Sequence, residues 1–95
     1  MKYIVFWEFD IDKTDAAIAK NVEYAKIVKE SPEMFQSYIF PPHYMGEGKG
    51  FSVVEITDPA QWVNTNALWH GVLKLKHVPI TEVANWIEAY QKAHT

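Results

Sequence analysis

The chain contains no cysteine, and all nine of its basic residues are lysines. The missing cysteines exclude disulfides, thiolate chemistry and zinc or iron–sulfur sites with cysteine ligands. The missing arginines remove the guanidinium fork that binds phosphates and guanines through two hydrogen bonds. A net charge of −3 leaves no basic stripe for nucleic acid. We therefore predict no nucleic-acid partner, no metal and no cofactor.

Long apolar runs are also missing. The N-terminal stretch 2–9 is apolar but ends in acids, and it is far shorter than the roughly 20 residues of a membrane span. A signal peptide needs a longer apolar core and a small-residue cleavage site. We expect a cytoplasmic protein without membrane contact, with residues 1–95 forming one domain.

Turn and cap residues divide the chain into seven elements. Asp58 followed by Pro59 is typical of a helix start, whereas Pro32 and Pro79 are expected to end the elements before them. The stretch "PPHYMGEGKG" is predicted to be a loop. The predicted strands are 2–9, 34–40, 51–57 and 72–78, and the predicted helices are 15–30, 59–70 and 82–93. Apolar positions expected on buried helix faces are Ile18, Val22 and Ala25 in the first helix and Val83, Trp86, Ile87 and Tyr90 in the last.

The order β-α-β-β-α-β with a C-terminal helix predicts an α+β, ferredoxin-like fold. Its four-stranded antiparallel sheet would have the strand order 4-1-3-2, with the first two helices on one face. The opposite face would carry Phe6, Phe51 and Val53, an apolar patch that is costly on a monomer. We therefore predict a homodimer in which two such faces pack together.

The sequence is similar to a known superfamily in its length, its element order and its hairpin, which reads "YMGEGKGF" and leads into "VVE". These features resemble the dimeric α+β-barrel proteins, and within them small single-domain members of unknown function. Other members are antibiotic-biosynthesis-type monooxygenases, haem-degrading oxygenases and muconolactone isomerase-like enzymes, so the resemblance implies a fold rather than a reaction. Trp69 and His77 resemble the tryptophan and histidine of the haem-degrading members. Trp7 and Glu8 stand where those members have asparagine, which weakens the haem interpretation.

Gly46, Gly48 and Gly50 alternate through the predicted loop. A phosphate-binding loop needs a helix directly after it, whereas a strand follows here. The glycines therefore indicate a hairpin turn. A second interpretation is a mobile lid in which Tyr44 and Met45 cover the mouth of a pocket.

Glu8 and Glu55 each interrupt an apolar strand. Side-chain alternation places both on the open face together with Lys74 and Lys76. One interpretation is a set of ion pairs at a dimer edge, with Glu8 near Lys74 and Glu55 across Ile4 from Lys76. The other is the polar lining of a cavity between subunits, to which Tyr38 would contribute a hydroxyl and in which a desolvated carboxylate would transfer protons.

Of the four histidines, His77 is the strongest candidate for chemistry. It is predicted on the inner face near Trp62 and Trp69, either as a core histidine or as a proton-transfer group. His43 is expected to be exposed in the loop, and no H-x-H or H-x-x-x-H spacing indicates a metal site.

These observations leave two functional hypotheses. The preferred one is a dimeric binding or interaction module for a small apolar or aromatic molecule. Its candidate ligand-binding residues are Tyr38, His43, Tyr44, Met45 and Trp69. The alternative is a cofactor-independent monooxygenase or isomerase acting on a small aromatic or enolisable substrate. Its candidate catalytic residues are Glu55, Glu8 and His77.

Overall fold

The computed structural model describes residues 1–94 and shows a small α+β protein. The strands and helices alternate in the predicted order. Within the described residues, no helix is both long and apolar enough to cross a membrane. The strands are β1 (Lys2–Glu8), β2 (Ser37–Gly46), β3 (Lys49–Glu55) and β4 (Lys74–Ile80), and the helices are α1 (Thr14–Glu30), α2 (Pro59–Trp69) and α3 (Val83–Ala93).

The four strands form one antiparallel sheet, as predicted. The strand order is β2-β3-β1-β4, which is 4-1-3-2 when it is read from the β4 edge. The central strand β1 pairs with β3 on one side and with β4 on the other. The arrangement is compatible with the ferredoxin-like prediction.

The predicted loop at 41–50 is wrong, because β2 continues through two prolines as far as Gly46. Strand β2 lies at an edge of the sheet, where a proline removes no ladder hydrogen bond that the fold needs. Three register shifts along its pairing with β3 accommodate the irregular stretch. The strand also begins later than predicted, because Pro32–Met34 form a 3-10 turn.

The predicted end of the fourth strand is wrong for the same reason. Strand β4 is the other edge strand, and it runs past Pro79 to Ile80, with Pro79 opposite Tyr3. A proline at an edge position is compatible with a strand when its missing N–H faces away from the neighbour.

The hairpin prediction for the glycines is confirmed. The chain turns at Glu47 and Gly48 with left-handed φ angles of 56° and 74°, next to Gly46 at 89°. Gly50 has a different role, because it lies directly opposite Trp7 and an added Cβ would overlap the indole ring. An aromatic ring over a cross-strand glycine is a known way of pinning strand register.

The core is small and divided in two. One cluster on the sheet contains Val5, Val54 and Ile56. The other contains Tyr24, Phe35 and Trp69. The buried residues of α1 are Ala17 and Tyr24, so the predicted burial of Ile18 and Val22 is wrong, since both are exposed. Helix α1 therefore covers the sheet incompletely and leaves a space beneath it.

Helix α3 also differs from the prediction. Its apolar residues were expected to face inward, yet every residue of the helix is exposed. The radius of gyration is 15.6 Å, against about 12 Å for a compact chain of this length. The longest dimension is 54 Å and the shortest is 19 Å. The pattern correctly predicts an amphipathic helix, but no surface formed by residues 1–94 covers its apolar face.

Candidate ligand-binding site

A cavity of about 370 Å³ lies between α1 and the helix-covered face of the sheet. Strands β1, β2 and β3 form its floor, α1 forms its roof, and residues of α2 and β4 close one side. Its mouth is open to solvent. The lining residues are mainly apolar or aromatic, and those used below are Trp7, Phe9, Ile18, Val22, Gln36, Tyr38, Tyr44, Ser52, Thr65, Trp69 and Leu75.

Three aromatic rings form one wall of the cavity. Trp7, Phe9 and Tyr44 have ring centroids 6.2 to 6.3 Å apart and planes within 15° of parallel. The Tyr44 hydroxyl accepts a hydrogen bond of 2.9 Å from the Gly48 backbone N–H, which ties the ring to the hairpin turn. The wall thus combines two residues from β1 and the turn after it with one from the hairpin, and it is a flat surface on which another aromatic ring can stack.

The wall contains a hydrogen-bond donor without a partner. Trp7 Nε1 is buried, and no acceptor among residues 1–94 lies within hydrogen-bonding distance. An indole N–H can only donate, so a ligand atom that satisfies it has to be an acceptor. An unpaired buried donor costs about 1–3 kcal/mol.

A second unpaired group lies deeper. The Tyr24 side chain is 3% exposed, and its hydroxyl faces those of Tyr38 and Thr65 without a hydrogen bond to any described residue. Burial raises the pKa of Tyr24 and also that of Tyr38, which lines the cavity. Both hydroxyls therefore stay protonated at neutral pH and are available as donors.

His77 is not part of the aromatic wall and does not line the cavity. Its Nε2 is 2.9 Å from Oε1 of Gln36, a cavity residue, so the ring nitrogen donates to the amide oxygen. Trp62 packs beside the imidazole at 5.3 Å and Tyr3 meets it edge-on at 5.9 Å. Burial lowers the pKa of His77, which favours the neutral form. The predicted inner-face position is confirmed, and contact with the cavity passes through Gln36.

The structure brings three of the predicted ligand-binding residues together. Tyr38, Tyr44 and Trp69 all line the cavity. Met45 does not join them, because it lies in a groove on the open face with Glu8 and Phe6. Adjacent residues of a strand point to opposite faces, so the prediction that Tyr44 and Met45 form one lid is wrong.

The other predicted residues lie outside the cavity. His43 is part of β2, where its ring stacks on Phe40 at 4.3 Å on the open face and its Nδ1 lies 2.7 Å from the Pro41 carbonyl oxygen. The expected loop position of His43 is therefore wrong. The predicted binding roles of His43 and Met45 and the predicted catalytic roles of Glu8, Glu55 and His77 stay predictions.

The two strand glutamates also lie outside it. Glu8 is opposite Lys74, as predicted. Glu55 is opposite Lys2, and its Oε2 lies 3.4 Å from the Met1 amino group. Its predicted place across Ile4 from Lys76 is wrong, because the actual register places Val53 opposite Ile4.

The cavity is electrically neutral. None of the described residues that line it has a charged side chain. Within residues 1–94, no three histidine, aspartate or glutamate side chains come together as a metal site would require. The available interactions are therefore aromatic stacking, apolar contact and hydrogen bonds from neutral groups.

Sequence reasoning missed most of the polar part of this site. Ser52 and Thr65 are 2% and 1% exposed, and their small polar side chains lie on faces where a larger apolar residue is the usual choice. No binding role is predicted for Trp7 from the sequence, because its position opposite Gly50 depends on the strand register.

The family of the chain follows from a comparison over nearly its full length. The family model described as "Domain of unknown function (DUF3303)" matches residues 1–94. The chain belongs to the DUF3303 family. No curated protein and no solved structure gives a significant match. The evidence for the function of this DUF3303 protein is therefore the geometry of its site.

Proposed function

We propose that the cavity binds a small, neutral, largely aromatic molecule that carries a hydrogen-bond acceptor. Its volume of about 370 Å³ lies within the range of roughly 300–1,000 Å³ that is typical of small-molecule sites. The observation that carries the proposal is the unpaired Trp7 Nε1 in a wall of stacked rings. A ligand ring stacks on that wall. Because Nε1 is itself covered, the indole shifts on binding so that its N–H meets the ligand acceptor.

The lack of charge in the described lining favours a neutral ligand. A carboxylate or an ammonium group moved into this cavity would lose hydration without gaining a counter-ion. A ketone, ester or amide oxygen would lose less and would satisfy the donor. The preferred ligand class is thus an aromatic carbonyl compound without a net charge.

Binding is favoured over catalysis because the cavity lacks a general base. Glu8 and Glu55 lie outside it, and the raised pKa of Tyr38 keeps that hydroxyl protonated. His77 does not line the cavity, and its Nε2 already donates to Gln36. A proton-transfer reaction needs a base within hydrogen-bond reach of the substrate, so the enzyme hypothesis has no supporting observation in this cavity.

Three matched probes test the proposal: 2-acetonaphthone, 2-ethylnaphthalene and 2-naphthoate. They share one ring system, but only the first has a neutral acceptor. We expect 2-acetonaphthone to bind about 2- to 12-fold more tightly than 2-ethylnaphthalene, the worth of one hydrogen bond. The naphthoate should bind weakest. In two-dimensional NMR spectra the indole N–H signal of Trp7 should move on binding, while that of Trp62 stays in place.

Two tryptophan variants supply the control. Trp7→Phe keeps an aromatic ring but removes the donor, so it should abolish the preference for the ketone while retaining affinity for the hydrocarbon. Trp62 lies beside His77 and outside the cavity lining, so Trp62→Phe should preserve the preference for the ketone. Equal affinities of the unmodified protein for ketone and hydrocarbon would contradict the role of Trp7.

We also propose that two copies pack through the open faces of their sheets. That face is defined by Ile4, Phe6, Phe40, His43, Phe51 and Val53. The Phe6 side chain is 42% exposed and Phe40 lies in a stacked cluster with Phe51 and His43. Sedimentation equilibrium at micromolar concentration should give a dimer for the unmodified chain and a monomer for Phe6→Glu. A monomeric unmodified chain would refute this assembly.

A further inference from the structure

Helix α3 carries an apolar stripe that its own chain leaves in solvent. Val83, Trp86, Ile87 and Tyr90 follow the i, i+3, i+4, i+7 spacing of one helix face. Their exposed fractions range from 42% to 68%. Such a stripe, with a tryptophan and a tyrosine at its centre, is the usual composition of a contact surface.

A second exposed apolar surface borders the cavity mouth. Ile18 and Val22 line the cavity from α1, yet 59% and 51% of their surfaces are exposed. Ile11, just before α1, is also exposed. Ile18 and Val22 form the rim of the mouth.

The helix α3 of the same chain starts far from this rim. Leu75, near the start of β4, lines the cavity, whereas Ile80 at its end lies opposite Lys2. The intervening strand spans about 17 Å. An ion pair of 3.7 Å between Lys2 and Glu82 marks that far end, from which α3 projects. The rim is therefore accessible to the helix of another copy.

We propose that α3 of one copy packs its apolar stripe against Ile18 and Val22 of a second copy and closes the mouth of that copy's cavity. The inference rests on the homodimer proposed above. At roughly 200 Å² for a fully exposed large apolar side chain, the stripe and the rim offer about 650 Å² per copy. That area lies at the lower end of the range for one side of a standard protein–protein interface, roughly 600–1,000 Å².

A two-fold axis makes the contact reciprocal. Each copy gives one helix and receives one, so both stripes and both rims are buried by the same operation. The ligand site is then complete only in the dimer, with one wall from the partner. Ligand entry and release require α3 to move away from the rim.

Introduced cysteines test the contact, because the chain has none of its own. Ile87→Cys protein is mixed under mild oxidation with a size-tagged chain that carries Val22→Cys. We expect a mixed disulfide of the two chains on a non-reducing gel, since a disulfide needs Cα atoms within about 7 Å. The matched control replaces Val22→Cys with Phe6→Cys on the open face, in a chain that sedimentation has first shown to dimerise, and it should give no mixed product with Ile87→Cys.

The outcomes separate this inference from the dimer itself. A mixed disulfide with Phe6→Cys, or none with Val22→Cys while sedimentation still gives a dimer, overturns the proposed contact and leaves the sheet-to-sheet dimer standing. A monomer in sedimentation overturns both. As an independent readout, Trp86→Ser should raise the dimer dissociation constant by about 30-fold, the size of an interface hot spot. An unchanged dissociation constant contradicts the contact.

Discussion

Replacing Gly50 with alanine tests the connection between the fold and the cavity. Gly50 is buried directly opposite Trp7, and a Cβ at this position would overlap the indole ring. The ring has little freedom to move away, because it is stacked between the sheet and the rings of Phe9 and Tyr44. Gly50→Ala therefore forces either the indole or the β3 backbone out of place.

The expected magnitude follows from two opposing effects. Adding a methyl group to a packed site usually costs about 1–3 kcal/mol. Replacing glycine restricts the unfolded chain and returns about 0.4–1 kcal/mol. The net loss should be about 1–2 kcal/mol, which lowers the melting temperature by roughly 5–15 °C in a domain of this size. Protein concentration is held fixed, because the proposed dimer would contribute to apparent stability.

A double-mutant cycle isolates the overlap from other effects of the substitution. Urea unfolding followed by circular dichroism is measured for the unmodified chain, Gly50→Ala, Trp7→Leu and the double variant. In the Trp7→Leu background the alanine should cost little or even stabilise, because the ring that it displaces is gone. An equal cost in both backgrounds would show that the two positions are independent, which would refute the reasoning. Gly50→Ala should also weaken 2-acetonaphthone binding, since the displaced ring lines the cavity.

Three further predictions concern other parts of the molecule. Tyr24→Phe should leave the urea midpoint unchanged or raise it, because the hydroxyl is buried and unpaired within the described chain; a loss above about 1 kcal/mol would reveal a partner. The lowered pKa of His77 means that the unfolded chain binds more protons once the pH falls below about 6.5. The contribution of His77 to stability should thus be fully present above that pH and decline below it. His77→Gln should reduce the difference between the urea midpoints measured at pH 7.5 and 5.5, whereas the exposed His94→Gln should not. Asp58→Ala should cost about 1 kcal/mol in urea unfolding, because Asp58 forms a capping box with Gln61 at the start of α2; an unchanged midpoint would contradict the cap.

The sheet and the first two helices were predictable because local signals and tertiary structure agree there. Strand β1 is apolar on both faces, which indicates a central strand, and it lies between β3 and β4. Asp58 and Pro59 predict the start of α2, and the Asp58 side chain accepts a hydrogen bond of 2.9 Å from the Ala60 N–H. Both features depend on residues close in sequence or on simple alternation.

The prediction that Pro32 ends the first helix is confirmed, because α1 ends at Glu30, but strand ends at prolines were not predictable from the same rules. Proline ends a strand only when the lost N–H is needed by a neighbour, and that depends on whether the strand lies at an edge. Pro41, Pro42 and Pro79 all lie in edge strands. The strand order 4-1-3-2 makes the second and fourth strands edge strands, and a proline is compatible with a strand there.

The site was half predictable. Tyr38 is predicted to supply a hydroxyl to a cavity between subunits, which is wrong, because the structure places it opposite Val54 on the helix-covered face. Side-chain alternation also does not give the register between strands. A shift of two residues moves the neighbour of Glu55 from Ile4 to Lys2, and the carboxylate moves to the end of the sheet. The volume of a cavity depends on the distance between the helix and the sheet, and the periodicity of the sequence does not give that distance. The exposed fractions of Ile18 and Val22 reveal it only in three dimensions.

The unpaired donors connect stability with function. In the empty protein, Trp7 Nε1 and the Tyr24 hydroxyl are buried without partners among residues 1–94, and each lowers stability by about 1–3 kcal/mol. A residue such as phenylalanine at either position would avoid this loss and keep the ring. If the proposed ligand binds, its acceptor offsets part of the loss at Trp7, and that gain is included in the ligand's binding free energy. The protein should then unfold at a higher urea concentration when 2-acetonaphthone is present, and the increase should be smaller for Trp7→Phe.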